Sequence, residues 1–111
     1  MEIAEKRFKR VDLIAVNGRV DADTAALLQD SLKSHLEAGR FRLVLDLSEV
    51  SYISTAGLKV LLQTLKEVRR FNRGDLRLAG LQPRIKETFD LTGLTPLFKI
   101  YEQAIDAVGS Y

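Results

Sequence analysis

The stretch from Leu43 to Leu58, LVLDLSEVSYISTAGL, constrains the fold more than any other part of the chain. Leu43–Leu47 is a short apolar run of Leu and Val, which reads as a buried strand ending near Asp46. Ser48–Ile53 reads as a short polar connection, and Ser54-Thr55-Ala56-Gly57 then opens a long amphipathic pattern. Leu58, Leu61, Leu62, Leu65 and Val68 recur at three- and four-residue spacing, the period of a helix with one buried face. A strand that runs into a helix and then into another strand needs a crossover, so the two strands lie parallel. Two hydroxyls, Ser54 and Thr55, stand where the helix begins, beside unpaired amides and the positive end of its dipole. Such a hydroxyl either caps the helix or marks a point where a phosphate is tolerated electrostatically. The residues alone leave both open.

The remaining pattern supplies the other elements. Ile3–Val20 alternates loosely and breaks at Lys9-Arg10, and Leu13–Val16 is followed by Asn17-Gly18, so two adjacent short strands are expected. Asp21, Asp23 and Thr24 offer caps for a helical stripe of Ala25, Leu28, Leu32 and Leu36 that ends at Gly39. The second helix is expected over Thr55–Arg73, closed by Gly74. Leu76–Ala79 reads as a strand, and Pro83 suits the first turn of a third helix with Ile85, Phe89 and Leu91 facing inward and Gly93 at its end. Leu97–Tyr101 reads as a last strand and Gln103–Val108 as a terminal helix. The order predicts an α/β sandwich: a mixed sheet of about five strands with about four helices. Met1 at the start and the absence of a Pro/Ser-rich linker predict one whole small domain, residues 1–111.

Composition removes several functions. A formal charge of +2, with Lys and Arg spread along the chain, does not point to direct nucleic-acid binding. Without cysteine there is no disulfide framework, thiol nucleophile or Cys-based metal site. One histidine, His35, cannot build a His-rich metal centre; it falls in a helical pattern near Glu37 and is expected at the surface or its boundary. No apolar run approaches the roughly 20 residues that span a bilayer, and the N-terminus lacks a signal's apolar core. A cytoplasmic protein without membrane insertion is expected. The standard glycine-rich phosphate cradles are missing.

Asp21, Asp23 and Asp46 are the carboxylates that an acid–base or metal set would use. Asp21 and Asp23 are better read as caps and loop residues. Asp46, at the C-terminal end of a strand, is read as both structural and adjacent to a site. Ser54 is the best N-cap for the second helix, worth about 1 kcal/mol against Ala. Thr55 falls at the first helical position, where no cap is needed. Gly57 inside the first turn costs up to about 1 kcal/mol relative to Ala, which points to a close-approach surface at this edge.

At these residues the chain resembles the anti-sigma factor antagonists, stand-alone members of the STAS domain family. The family signature D-[LF]-S-x-V-x-[YF]-[IM]-D-S-[ST]-G-L is matched by Asp46-Leu47-Ser48-Glu49-Val50-Ser51-Tyr52-Ile53-Ser54-Thr55-Ala56-Gly57-Leu58. Gly18–Asp21 with Asp23–Ala25, and Phe89–Leu94 with Leu97–Tyr101, resemble two further family segments. The chain departs from the signature at three positions: the family's acidic residue before the phosphorylated hydroxyl is Ser54 here, the phosphorylated position, usually Ser, aligns with Thr55, and the following Ser/Thr is Ala56, with Ser54 as the alternative acceptor.

The resemblance implies a binding module without catalytic residues, cofactor or metal. Unmodified, it would bind an anti-sigma factor that is itself a serine/threonine kinase and so release a sigma factor. Phosphorylation at Thr55 would end that binding, and a metal-dependent phosphatase of the PP2C type would reset it. The implied partner surface comprises Asp21, Asp23, Ser54, Thr55 and Gly57, flanked by Lys59. The alternatives within the fold are a STAS subunit of a lipid-transport ABC complex or of a stressosome-like assembly. Outside those roles stands a small nucleotide-binding protein using the crevice at the strand C-termini.

Overall fold

Leu43, Val44 and Leu45 are successive and all fully buried, which requires cover on both faces of the strand that carries them. The computed structural model, which describes residues 1–111, provides it. Five strands, β1 (Glu2–Arg7), β2 (Asp12–Val20), β3 (Arg42–Ile53), β4 (Asp75–Ala79) and β5 (Ile100–Tyr101), form one sheet in chain order. β1 pairs antiparallel with β2, and the other three pairings are parallel. Three helices, α1 (Ala25–Glu37), α2 (Thr55–Arg69) and α3 (Pro83–Leu91), contribute to the main core with Leu43, Leu45 and Leu47. The short helix α4 (Ala104–Gly109) covers the other face, where Val44, Val11, Ala79 and Ala107 form a smaller cluster. The mixed five-stranded sheet with four helices is the architecture the sequence pattern predicts.

Several boundaries differ, each for a physical reason. β3 does not stop at Asp46 but runs on to Ile53, so the expected polar connection is strand. Its outer half pairs with β2 through Glu49, Val50, Tyr52 and Ile53, and Val50 and Ile53 are buried in the core. β2 likewise continues through Asn17-Gly18 to Val20, absorbing two register shifts on the way. α2 ends at Arg69, followed by a single 3₁₀ turn over Arg70–Asn72 in which Phe71 (φ +58°) and Asn72 (φ +56°) are left-handed. Gly74 does not close the helix by its own conformation. A Cβ there would lie 2.0 Å from the Phe41 carbonyl oxygen, so it is glycine because two chain segments cross there. Leu91 is 80 % exposed instead of facing inward, and Leu97 lies in a 3₁₀ turn (Thr95–Leu97), leaving only two residues of the last strand. Leu62 is half-buried, whereas Leu61 is fully buried.

His35 is the largest departure from the sequence reading. It is buried at the C-terminal end of α1, with Nδ1 2.6 Å from Asp12 Oδ2 and Nε2 2.8 Å from Glu5 Oε1. Arg40 donates from Nε and Nη2 to Asp12 Oδ1 at 3.0 and 2.7 Å. The network pins the end of α1 to β1 and β2. Its signal in sequence was weak, because the partners lie 23 and 30 residues away. Burial pushes the Asp12 carboxyl up, but the hydrogen bonds from Arg40 and His35 outweigh it and hold the group below the usual carboxylate range. At the other end of the chain, the Tyr111 hydroxyl lies within donating distance of the carbonyls of Leu43 (2.7 Å) and Asp75 (2.6 Å), fastening the C-terminus across β3 and β4.

Two outcomes are expected. Leu61→Ala should destabilise by about 2–5 kcal/mol and Leu62→Ala by clearly less, read as the shift in denaturant midpoint at constant slope. Asp12 has a folded pKa below its unfolded value. Its contribution is therefore present above the ordinary carboxylate value of about 3.9 and is lost as pH falls through the depressed one. Asp12→Asn should cost about 1–3 kcal/mol at neutral pH. Chemical denaturation across the acid range should show a shallower loss of stability in the variant than in the native chain.

Candidate functional site

β2 and β3 end side by side, and the site grows from that register. Val20 pairs with Ile53, and the Ser54 amide donates to the Val20 carbonyl at 2.7 Å. The loop that follows β2 and the start of α2 are thereby held together at one end of the sheet. Residues Asp21–Thr24 and Ser54–Gly57 come from segments thirty residues apart and share this edge.

Ser54 is the N-cap of α2. Its backbone is extended (φ −84°, ψ 170°), and its hydroxyl accepts from the Gly57 amide at 3.2 Å. The half-buried Ser54 hydroxyl is therefore occupied, whereas Thr55, one residue on, is exposed. Thr55 sits at the first helical position, where the neighbouring amides have no partner within the helix and the dipole is positive. Lys59 follows four residues later and is exposed, so it shares the helix face of Thr55.

Asp21 organises the other half of the edge. Its Oδ1 accepts from the amides of Asp23 (3.0 Å) and Thr24 (2.9 Å), and its own amide donates to Thr24 Oγ1 at 2.9 Å. The bonds from the Thr24 amide and hydroxyl hold its carboxyl below the ordinary range. Thr24 takes the N-cap position of α1 without a side-chain cap bond, and Asp21 closes the turn that leads into the helix, while the Asp23 side chain is exposed and makes no hydrogen bond.

The structure corrects two assignments. Gly57 is buried, and a Cβ there would lie 2.7 Å from Val20 Cγ1 and 2.8 Å from Ile53 Cγ1. The close approach that this glycine permits is made to the domain's own strands, which removes it from the expected contact surface. Asp46 lies in mid-strand, opposite Ala15, with Oδ1 accepting from the Ser48 amide at 3.0 Å. Ile53 lies seven residues further along the strand, about 23 Å by strand rise, so Asp46 does not join Asp21 and Asp23.

Sequence reading also missed a pair at this edge. The Arg19 guanidinium lies 4.4 Å from the ring centroid of Tyr52, a residue that is 38 % exposed. The two are partners in the β2–β3 register, one pair before Val20 and Ile53 and so two residues before Asp21 and Ser54. Only the extension of both strands brings them together. The edge therefore carries acids (Asp21, Asp23), cations (Arg19, Lys59), the Tyr52 phenol and the unbonded Thr55 hydroxyl.

A five-stranded mixed sheet with helices on both faces and a hydroxyl exposed at the start of α2 defines a small α/β domain. Residues 3–107 match the model of the STAS domain, and the chain belongs to that family. It is 33% identical over 100 residues to the anti-sigma-B factor antagonist of Listeria monocytogenes, covering 90% of this chain and 86% of that one. An anti-sigma factor antagonist from Mycobacterium paratuberculosis superposes with a TM-score of 0.89 at 25% identity, over 98% of this chain and 92% of that one. The fold is also that of the Bacillus cell fate determinant SpoIIAA in its phosphorylated form, with a TM-score of 0.77, 14% identity and 98% of each chain covered.

The distinct roles of neighbouring residues lead to a stability test. Ser54→Ala should cost about 0.5–2 kcal/mol through the lost cap, and Gly57→Ala about 1–3 kcal/mol through overpacking against Val20 and Ile53. Thr55→Ala should stay within about 0.5 kcal/mol of the native value. Thermal or denaturant unfolding of the three variants gives the ranking.

Proposed function

We propose that this protein is an anti-sigma factor antagonist controlled by phosphorylation of Thr55. The observation that carries the proposal is the division of labour between adjacent hydroxyls: Ser54 is committed to capping α2 and Thr55 is exposed and uncommitted. The names of its relatives support the same reading. In the unmodified state the edge formed by Asp21, Asp23, Thr55 and Lys59, together with Arg19 and Tyr52, binds an anti-sigma factor that is also a serine/threonine kinase. The sigma factor is released. The kinase then phosphorylates Thr55 and frees the antagonist, and a PP2C-type phosphatase resets it. The whole domain, residues 1–111, acts as a cytoplasmic binding module without cofactor or catalytic step.

Charge explains why the modification acts as a switch. A phosphate adds about −1.5 to −2 charges at neutral pH. In the free domain it stands in water beside the positive end of α2, which favours it by about 0.3–1 kcal/mol. In the complex the same group would be desolvated near Asp21 and Asp23, at a cost of several kcal/mol. Modification is therefore compatible with the free domain and incompatible with the docked one, and no refolding is needed.

Incubation with the cognate kinase and ATP should place a single phosphate on Thr55, mapped by mass spectrometry. Thr55→Ala should resist phosphorylation and stay bound to the kinase. Thr55→Glu should bind poorly, although one charge imitates a phosphate only in part. Charge reversal at Asp23 should weaken binding without unfolding the domain. Phosphate on Ser54 would move the switch by one residue; none at all with an active kinase would favour a constitutive scaffold, as in a transport complex or stressosome.

A further inference from the structure

We propose that the end of the domain opposite Thr55 holds a binding site for a phosphate-bearing anion. A recess of about 280 Å³ lies where the β1–β2 hairpin, the α1–β3 loop and the α2–β4 loop meet. Its lining includes five cations, Lys9, Arg10, Arg40, Arg42 and Arg73, together with Phe41, and no carboxylate. Arg42 begins β3 and Ser54 follows its last residue, so the recess and the Thr55 edge lie at opposite ends of the longest strand.

Two of the five cations have structural work. Arg40 is bonded to Asp12 and to the carbonyls of Phe8 (2.7 Å) and Lys9 (3.2 Å). Arg73 donates to the carbonyls of Glu67 and Arg70, approaches Glu67 Oε1 at 3.7 Å and stacks 4.1 Å from the Phe41 centroid. Bonding of this kind, to the last-turn carbonyl of α2 for Arg73 and to Asp12 and the β1–β2 turn for Arg40, accounts for these two. It does not account for Lys9, Arg10 and Arg42. Those three are exposed and make no side-chain hydrogen bond or ion pair.

Gathering uncompensated like charges around one recess raises the free energy of the empty domain, the more so the closer they lie relative to the Debye length of about 8 Å at physiological salt. An anion with several oxygens would relieve that repulsion, and the guanidinium fork suits phosphate in particular. The charges form one recess on a chain of net +2, not the long stripe that tracks a nucleic-acid backbone.

Phe71 adds a second, independent observation. It is 81 % exposed and left-handed, a conformation that costs free energy in a bulky residue and here secures no burial. Its ring lies 5.2 Å from the Arg70 guanidinium and 5.9 Å from that of Arg73, which lines the recess. The same phosphate chemistry occurs in a soluble phosphorylated metabolite and in a phospholipid head group. An aromatic side chain standing beside the cations matters only for the second.

The test uses the full chain, with inorganic triphosphate as the soluble probe in calorimetry and vesicles of phosphatidylcholine, with or without phosphatidylglycerol, in flotation. The variant combines Lys9→Ala, Arg10→Ala and Arg42→Ala, whose side chains bond to nothing, and an unchanged melting temperature checks its fold. Saturable triphosphate binding, weakened about tenfold or more in the variant and retained in Thr55→Glu, supports a soluble phosphate ligand. Flotation only with anionic vesicles, lost in the variant and in Phe71→Ser, supports the head group. Absence of saturable binding in both arms, equal binding by the variant, or retention by duplex DNA alone would overturn the proposal.

Discussion

The pairing of β3 along both of its edges is the constraint on which the rest of this structure depends. A strand buried on both faces has no water for its amides and carbonyls, so neighbouring strands must satisfy them. β2 does so on one side over nearly the whole length, and β4 on the other over the first five residues. That difference in coverage is informative. The inner half of β3 is sheet core, while the outer half projects beyond β4 toward the start of α2. The register with β2 therefore sets where Ser54 stands relative to Asp21, and both loops of the candidate site inherit their position from it.

Close packing then makes the edge rigid. Gly57 lets the first turn of α2 sit directly on Val20 and Ile53, the last residues of the two strands. Ser54 closes that turn with its hydroxyl, and Asp21 closes the loop opposite with its carboxylate. Three consecutive needs, to end a strand, begin a helix and bring two segments into contact, are met by side chains that are then unavailable for anything else. Thr55 is the polar residue those needs leave free. A modification there changes charge without removing a bond that holds the fold, which is the property a reversible switch requires.

The two ends of the sheet differ in character because parallel crossovers sort helix ends. The helix α2 starts at the C-terminal edge of β3 and finishes near the N-terminal edge of β4, so its positive end faces one site and its negative end the other. Arg73 meets a carbonyl of the last turn of α2 at the second end, as the dipole favours, while Arg40 ties the same end to the β1–β2 turn. The buried His35–Asp12–Arg40 network locks the same end from within, so its exposed cations stand on a fixed platform.

The sequence by itself determined the order of the elements, the parallel crossovers and the place where α2 begins, because those follow from local periodicity and cap chemistry. It also supplied the motif from Asp46 to Leu58, and with it the family and the residue, Thr55, for which the switch is proposed. What it could not carry is whatever depends on partners far along the chain. The polar residues Ser48, Glu49 and Ser51 looked like a loop because their strand character comes from pairing with β2, not from their own preferences. His35 looked like a surface residue because Glu5 and Asp12 reach it only across the folded sheet. Gly57 and Gly74 signalled a close approach but not its partner, and only the tertiary structure decided that the contacts are Val20, Ile53 and the Phe41 carbonyl. The stacking of Arg19 on Tyr52 and the convergence of Lys9, Arg10 and Arg42 belong to the same class, since strand register and loop packing act over distances that a local pattern does not record.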